Sequence, residues 1–157
     1  MKFQDFVCFA ATIPELEAKD RDGAIVELVG SLVQAGRLPA ALAESVAQAV
    51  IKRENEASTG MGKGVAVPHV KHEAVTDVVA VVGQTSVGID FKSLDEQPVY
   101  SVLLLISPQD NSDAHLQAME NIFKHLQKEQ FRKFLRQCQV PEAFEDLLRE
   151  ADDNPSW

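Results

Sequence analysis

The chain has 157 residues, 45% hydrophobic and 25% charged, a composition that fits one globular domain with a full core and excludes a disordered segment. A net charge of −9 leaves no basic stripe to neutralise a phosphate backbone, so no nucleic-acid partner is expected. Two cysteines, Cys8 and Cys138, make neither a disulfide framework nor a CxxC zinc pair and are expected as small core residues in a reducing cytoplasm.

In chain order, the apolar stretch Phe6–Ala11 is shorter than a signal-peptide core and follows Asp5, so it reads as mature protein. Ile25, Leu28, Val29, Leu32 and Val33 share one helical face, with Asp20 as N-cap and Gly36 as the stop. A second helix is expected from Pro39, with the stripe Leu42, Val46, Ala49 and Val50. Arg53 falls next on that stripe, which points its guanidinium where core residues point.

Runs of β-branched residues at Val65–Val67, Val78–Val82 and Val99–Ile106 predict strands buried on both faces. Gly83–Gly88 and Ser93–Pro98 supply the turns. The aliphatic runs are far too short to span a membrane, and no direct membrane insertion is expected.

A third helix begins at Asn111-Ser112 and carries Leu116, Met119, Ile122, Phe123 and Leu126, with His115 in its first turn facing inward. A short helix with Phe131, Phe134 and Leu135 follows, then one from Pro141 with Phe144, Leu147 and Leu148. Helices, strands and helices in that order predict an α/β fold, a mixed β-sheet sandwiched between helices in a single compact domain over 1–157. Its core is expected at about 3–149. Residues 150–157 read as an acidic tail, and the carboxylates from Glu142 to Asp153 as a solvated helix face with a frayed end.

Chemistry concentrates between Arg53 and His69. The glycine-rich run Gly60-Met61-Gly62-Lys63-Gly64 is no Walker A loop, because Lys63 is followed by glycine and a strand follows where the P-loop has a helix. His69 and His72, with Glu73 and Asp77, form no known metal motif, and Pro68 opposes a chelating helix, so no metal or other cofactor is expected. His72 reads as a solvent-facing loop residue.

A third reading is histidine phosphorylation, set against ordinary loop polars for Ser58 and Thr59 and a satisfied core histidine for His115. A neutral imidazole is a nucleophile near neutral pH, and phosphoryl transfer needs prearranged positive charge and donors for the peripheral oxygens. Arg53 offers a forked cation, Ser58 and Thr59 offer hydroxyls, and the glycine loop offers backbone N–H groups. His115 sits at a helix start, where an anion is favoured.

Arg53-Glu54-x3-Ser58-Thr59-Gly60-x-Gly62-x-Gly64-Val65-Ala66-Val67-Pro68-His69 closely resembles the phosphorylation site of enzyme IIA domains of the fructose/mannitol type, from the phosphoenolpyruvate-dependent phosphotransferase system. The likeness continues through Gly88-Ile89-Asp90-Phe91, Leu94-Asp95-x2-Pro98-Val99 and His115-Leu116-Gln117, spanning residues 3–149. The resemblance implies His69 as phosphoryl acceptor and His115 as the residue that orients and stabilises the group. It implies charge neutralisation by Arg53, with Ser58, Thr59 and Gly60 lining the pocket, and a mixed sheet flanked by helices.

The implied donor is an HPr-like phosphocarrier protein, and the implied target an enzyme IIB or a regulatory protein. With no fused membrane or enzyme IIB segment in the sequence, the chain resembles the stand-alone nitrogen-regulatory branch. Sugar uptake through a separate enzyme IIB, and a binding module with little phosphoryl flux, stand as alternatives. Two positions depart from the family. Ala57 replaces a common glycine, and Val70 stands where a small or polar residue is usual and is expected to narrow the approach to His69.

Overall fold

The computed structural model describes residues 1–154. Six α-helices are described: α1 (Phe3–Phe6), α2 (Arg21–Gln34), α3 (Ala43–Glu56), α4 (Ser112–Leu126), α5 (Glu129–Gln137) and α6 (Pro141–Asp153). Five strands form one mixed sheet: β1 (Gly60–Gly62), β2 (Val65–Ala66), β3 (His69–Lys71), β4 (Val79–Ile89) and β5 (Val99–Ser107). β5 is the hub. It pairs antiparallel with β4 on one side and parallel with both β2 and β3 on the other.

Side chains alternate across the sheet and split the core in two. Val79, Val81, Val102, Leu104 and Ile106 pack against α2 and α3, while Ala80, Val82, Leu103 and Leu105 pack against α1, α4, α5 and α6. The expected sandwich is therefore the observed one. The outer edge of β4 is covered by the N-terminal segment, whose Cys8 and Ile13 N–H groups donate to the Ala80 and Val82 carbonyls at 2.8 and 3.0 Å. That covering protects an otherwise unpaired edge.

Helix α2 matches its sequence signals. The Asp20 carboxylate accepts from the Gly23 N–H at 2.7 Å. At the far end Gly36 takes φ 76°, and the Gly36 and Arg37 N–H groups return to the Val33 and Leu32 carbonyls, a Schellman stop. The second helix starts later than expected: Ala40–Leu42 form a 3₁₀ turn and α3 begins at Ala43.

Gly83–Gly88 is not a turn but the middle of the eleven-residue β4. A β-carbon at Gly83 would lie 2.7 Å from Leu28, so glycine there lets α2 approach the sheet. Gly88, at φ 83°, lies in a bulge where the register with β5 shifts between Gln84 and Ile89. The acidic tail also needs correction: α6 runs to Asp153, with Ala151 and Asp152 buried. Residues 155–157 of that expected tail lie outside the described residues.

Leu116 and Phe134, expected inside, are exposed, at 57% and 37%. The buried stripe of α4 is Ala118, Ile122, His125 and Leu126 instead.

Candidate active site

Local chain geometry places His69 first. Pro68 interrupts the edge strand between β2 and β3, and His69 opens β3 opposite Leu105 of β5. By strand alternation it shares the face of Val65 and Val67, towards α4. Its Nδ1–H donates to the Val67 carbonyl at 2.8 Å, since a carbonyl can only accept. In the neutral ring the lone pair is thereby assigned to Nε2. Burial, partly opposed by that hydrogen bond, holds the His69 pKa below its ordinary value, and the nearby Arg53 charge lowers it further while Glu54 opposes.

The first turn of α4 delivers His115. Asn111 caps this helix by accepting from the Ala114 N–H at 3.1 Å. The His115 and His69 ring centroids lie 5.6 Å apart, with the planes at 44°. His115 Nδ1 is 2.6 Å from the hydroxyl of fully buried Ser107, the last residue of β5. Burial, then the charges of His69 and Lys71, push the His115 pKa down to about 4. Both imidazoles are neutral near pH 7.

Arg53 ends α3. Its Nη1 donates to the Ala57 carbonyl at 2.9 Å, which steadies the guanidinium beside the loop that leads to His69. The buried continuation of the α3 stripe is not Arg53, however, but Glu54, four residues after Val50 and 2% exposed. Its two carboxylate oxygens accept from the Thr59 N–H and the Thr59 hydroxyl, each at 2.7 Å. Sequence reasoning gave Glu54 no role, although the spacing Val46, Val50, Glu54 carries the signal.

The Ser58 and Thr59 hydroxyls and the Gly60 and Lys63 N–H groups are engaged by other protein groups. The Ser58 hydroxyl donates to the Phe91 carbonyl at 2.5 Å and accepts from the Gly60 N–H at 3.0 Å. The Thr59 hydroxyl hydrogen is held by Glu54, and the Lys63 N–H donates to Asp95 at 2.9 Å. Lys63 and Gly64, at φ 60° and 82°, form the two-residue turn of a β1–β2 hairpin. The donors of Ser58, Thr59 and Gly60 are thereby already used.

Lys71 is a cation that sequence reasoning missed. It lies two residues after His69 on the same face of β3, and its ammonium donates to the Ser112 hydroxyl at 3.1 Å, tying the strand to α4. His72, by contrast, has both ring nitrogens engaged outside the pair. Nδ1 accepts from the Ala74 N–H, and Nε2 faces the Ser45 hydroxyl at 3.0 Å.

The two family departures lose their force here. Ala57 has φ −162°, extended backbone open to any residue. Val70 points to the opposite face from His69 and packs against the α2–α3 core, so it does not narrow the approach to the imidazole.

Against this geometry, residues 10–151 match the family model for the phosphoenolpyruvate-dependent sugar phosphotransferase system, EIIA 2. A PTS system fructose-specific EIIABC component of Bacillus subtilis is 31% identical over 137 residues, 87% of this chain but 21% of that longer protein. A nitrogen regulatory protein of Bradyrhizobium diazoefficiens is 30% identical over 148 residues, covering 94% of this chain and 95% of that one. Among solved structures, nitrogen regulatory protein IIA-Ntr of Neisseria meningitidis superposes with a TM-score of 0.82 at 22% identity, over 92% of this chain and 97% of that one. The fold is shared.

Proposed function

The chain belongs to the EIIA 2 family of the phosphoenolpyruvate-dependent sugar phosphotransferase system, and from that premise we propose that His69 accepts a phosphoryl group through Nε2 from an HPr-like phosphocarrier. Domains of this family are phosphotransferases that work through a phosphohistidine. The observation that carries the assignment is the 2.8 Å bond from Nδ1–H to the Val67 carbonyl, which leaves Nε2 as the nucleophile beside His115.

The step needs no proton transfer. The Nε2 lone pair forms the new N–P bond as the N–P bond of a donor phosphohistidine protonated on its other ring nitrogen breaks, so the donor imidazole leaves neutral and the positive charge passes to the His69 ring. The His69 ring gains positive character as it bonds phosphorus, and its Nδ1–H bond to Val67 strengthens with that charge. The acceptor is thus stabilised most where charge develops.

His115 orients the group. With Ser107 donating to Nδ1, the proton of neutral His115 sits on Nε2, free to donate to a phosphoryl oxygen. Arg53 supplies positive charge from the α3 end, and Lys71 from the strand itself. Glu54 acts through Thr59 by fixing the loop, and Ser58, Thr59 and Gly60 shape the pocket wall without offering free donors.

As to role, we read the chain mainly as a nitrogen-regulatory-type signal, because the alignment with the nitrogen regulatory protein is nearly end to end on both chains. The fructose-specific relative supports a second reading, transfer onward to an enzyme IIB. Incubation with phosphoenolpyruvate, enzyme I and an HPr-like protein labels the wild type and leaves His69→Ala unlabelled. Label on His69→Ala overturns the acceptor assignment. Rapid discharge by a fructose-type enzyme IIB favours uptake over signalling.

A further inference from the structure

The glycine turn lies away from the histidine pair. Val65 pairs with Ser101 and His69 with Leu105, which separates them by four residues of β5, about 13 Å at the usual strand rise. Beside this turn a cavity of about 450 Å3 opens against α5. Lys63, Arg132, Lys133 and Arg136 line it, with Glu129 as its one carboxylate.

Four cations to one anion is an unusual concentration in a chain of net charge −9. Arg132 and Arg136 stand at i and i+4 on α5, where like charges repel and weaken a helix. Among the described residues, no carboxylate comes within ion-pair distance of any of the four. The folded state therefore holds a repulsion that a bound anion relieves, and such an anion stabilises the fold by mass action.

The arginines are also held in place. Arg136 sits over Tyr100, its guanidinium carbon 3.3 Å from the ring centroid, a cation–π contact that holds the group in place without using its N–H donors. The Tyr100 ring is fitted between Gly64 and Gly88, where added β-carbons would approach it to 3.4 and 3.2 Å. Both glycines have left-handed backbone, at φ 82° and 83°. Arg132 Nη1 donates to the Leu126 carbonyl at 2.7 Å, which fixes the second fork.

We propose that this cavity is a second binding site, independent of His69, for a small phosphorylated anion bearing at least two negative charges. Arginine forks match phosphate oxygens two bonds at a time, and the volume falls within the range of small-molecule sites. The glycine-rich hairpin then serves two ends: β1 and β2 lead to the nucleophile, and the turn at Lys63-Gly64 forms one wall of the anion site.

Two-dimensional amide NMR of the full chain, titrated with sodium pyrophosphate against sodium chloride of equal ionic strength, tests this. Saturable shifts are expected at Lys63, Gly64, Lys133 and Arg136, with a dissociation constant below about 1 mM. The same shifts are expected in His69→Ala. Affinity should fall about tenfold in Arg136→Gln and in Lys133→Gln, the loss of one charge-assisted hydrogen bond, while both spectra otherwise stay native. Shifts that chloride reproduces, shifts centred on His69 and His115 that vanish in His69→Ala, or unchanged affinity in both charge variants overturn the proposal. So does binding of a phosphorylated peptide without binding of pyrophosphate, which would assign the cavity to a protein partner.

Discussion

His69 and His115 place their rings 5.6 Å apart, and each has its Nδ1 tied to a different point of the sheet: His69 to the Val67 carbonyl before β3, His115 to the Ser107 hydroxyl at the end of β5. The arrangement gives two chemically identical side chains different partners. Val67 can only accept, so it leaves His69 a free lone pair. The Ser107 hydroxyl can donate as well as accept, and when it donates to Nδ1 the His115 N–H stands on Nε2. Burial and mutual repulsion keep His115 neutral, and burial does the same for His69.

Phosphoryl acceptance should therefore follow the neutral fraction of His69. Its pKa lies below the ordinary 6.5, so the acceptance rate should hold as pH falls through 6.5 and drop only at lower pH, with donor titration controlled. A rate that halves near pH 6.5 or above would remove the case for a depressed acceptor. Once phosphorylated, His69 places a dianion beside His115, and the His115 pKa should rise from about 4 by one unit or more. Proton NMR titration of both forms measures this directly.

The same depression makes stability depend on pH. In the unfolded chain the His115 imidazole binds a proton near pH 6.5, while in the folded chain it does so only near 4. Between those values the unfolded state holds more protons, so its contribution is intact above 6.5 and is lost as pH falls towards 4. His115→Asn should flatten that part of the curve of urea midpoint against pH. Parallel curves for variant and wild type would show that the histidine contributes nothing there.

Glu54 is predicted to be indispensable to the loop. Glutamine is nearly isosteric but offers one acceptor where Thr59 presents two donors. Glu54→Gln replaces two charge-assisted bonds to half-buried Thr59 with neutral ones, a loss of about 1–3 kcal/mol in urea unfolding. In Thr59→Ala one of the two donors is already gone, so the two losses should overlap in the double variant. Strict additivity would mean that the two residues do not act as a unit.

The legible part of this protein is the part written locally. The motif from Arg53 to His69 compresses a helix end, a hairpin and a strand into seventeen positions, and it is this motif that carries the family resemblance. Strands β1 and β3 escaped notice because each has three residues and draws its stability from pairing within the sheet rather than from its own pattern. Gly83 and Gly88 looked like punctuation, yet one admits a helix and the other a bulge inside a continuous strand. The Val67 carbonyl had no signature because every residue carries one. Glu54 was passed over because Arg53 reads as the next position on the α3 stripe, and the partner of Glu54, Thr59, appears only once the loop folds back.

Gly60 owes its identity to contact rather than conformation. A β-carbon there would lie 2.3 Å from the Ser93 hydroxyl oxygen and 3.0 Å from the Ser93 α-carbon. Gly60→Ala should destabilise the fold by about 1–3 kcal/mol through overpacking, and should slow labelling of His69 because β1 anchors the loop. Adding Ser93→Gly removes the hydroxyl and should restore part of the loss. No recovery in the double variant would place the strain elsewhere.

Asp152 carries the last prediction, and it lies where the sequence suggests only a solvated tail. Its carboxylate accepts from the Phe3 N–H at 2.7 Å and the Gln4 N–H at 2.9 Å, so the end of the described chain caps its first helix. The group is 5% exposed and sits over Phe3, which stacks with Phe131 in the α4–α6 core. Asp152→Ala leaves two backbone donors unpaired there and should cost about 1–3 kcal/mol. Because this is a buried hydrogen-bonded cap and not a surface ion pair, the deficit should persist at high salt, where exposed charge pairs are screened. A chain ended at Arg149 loses Ala151 and Asp152 together and should be less stable than the point variant. If that truncation instead melts with the wild type, the N-terminal helix is held by Phe3 and Phe6 alone, and the cap is incidental.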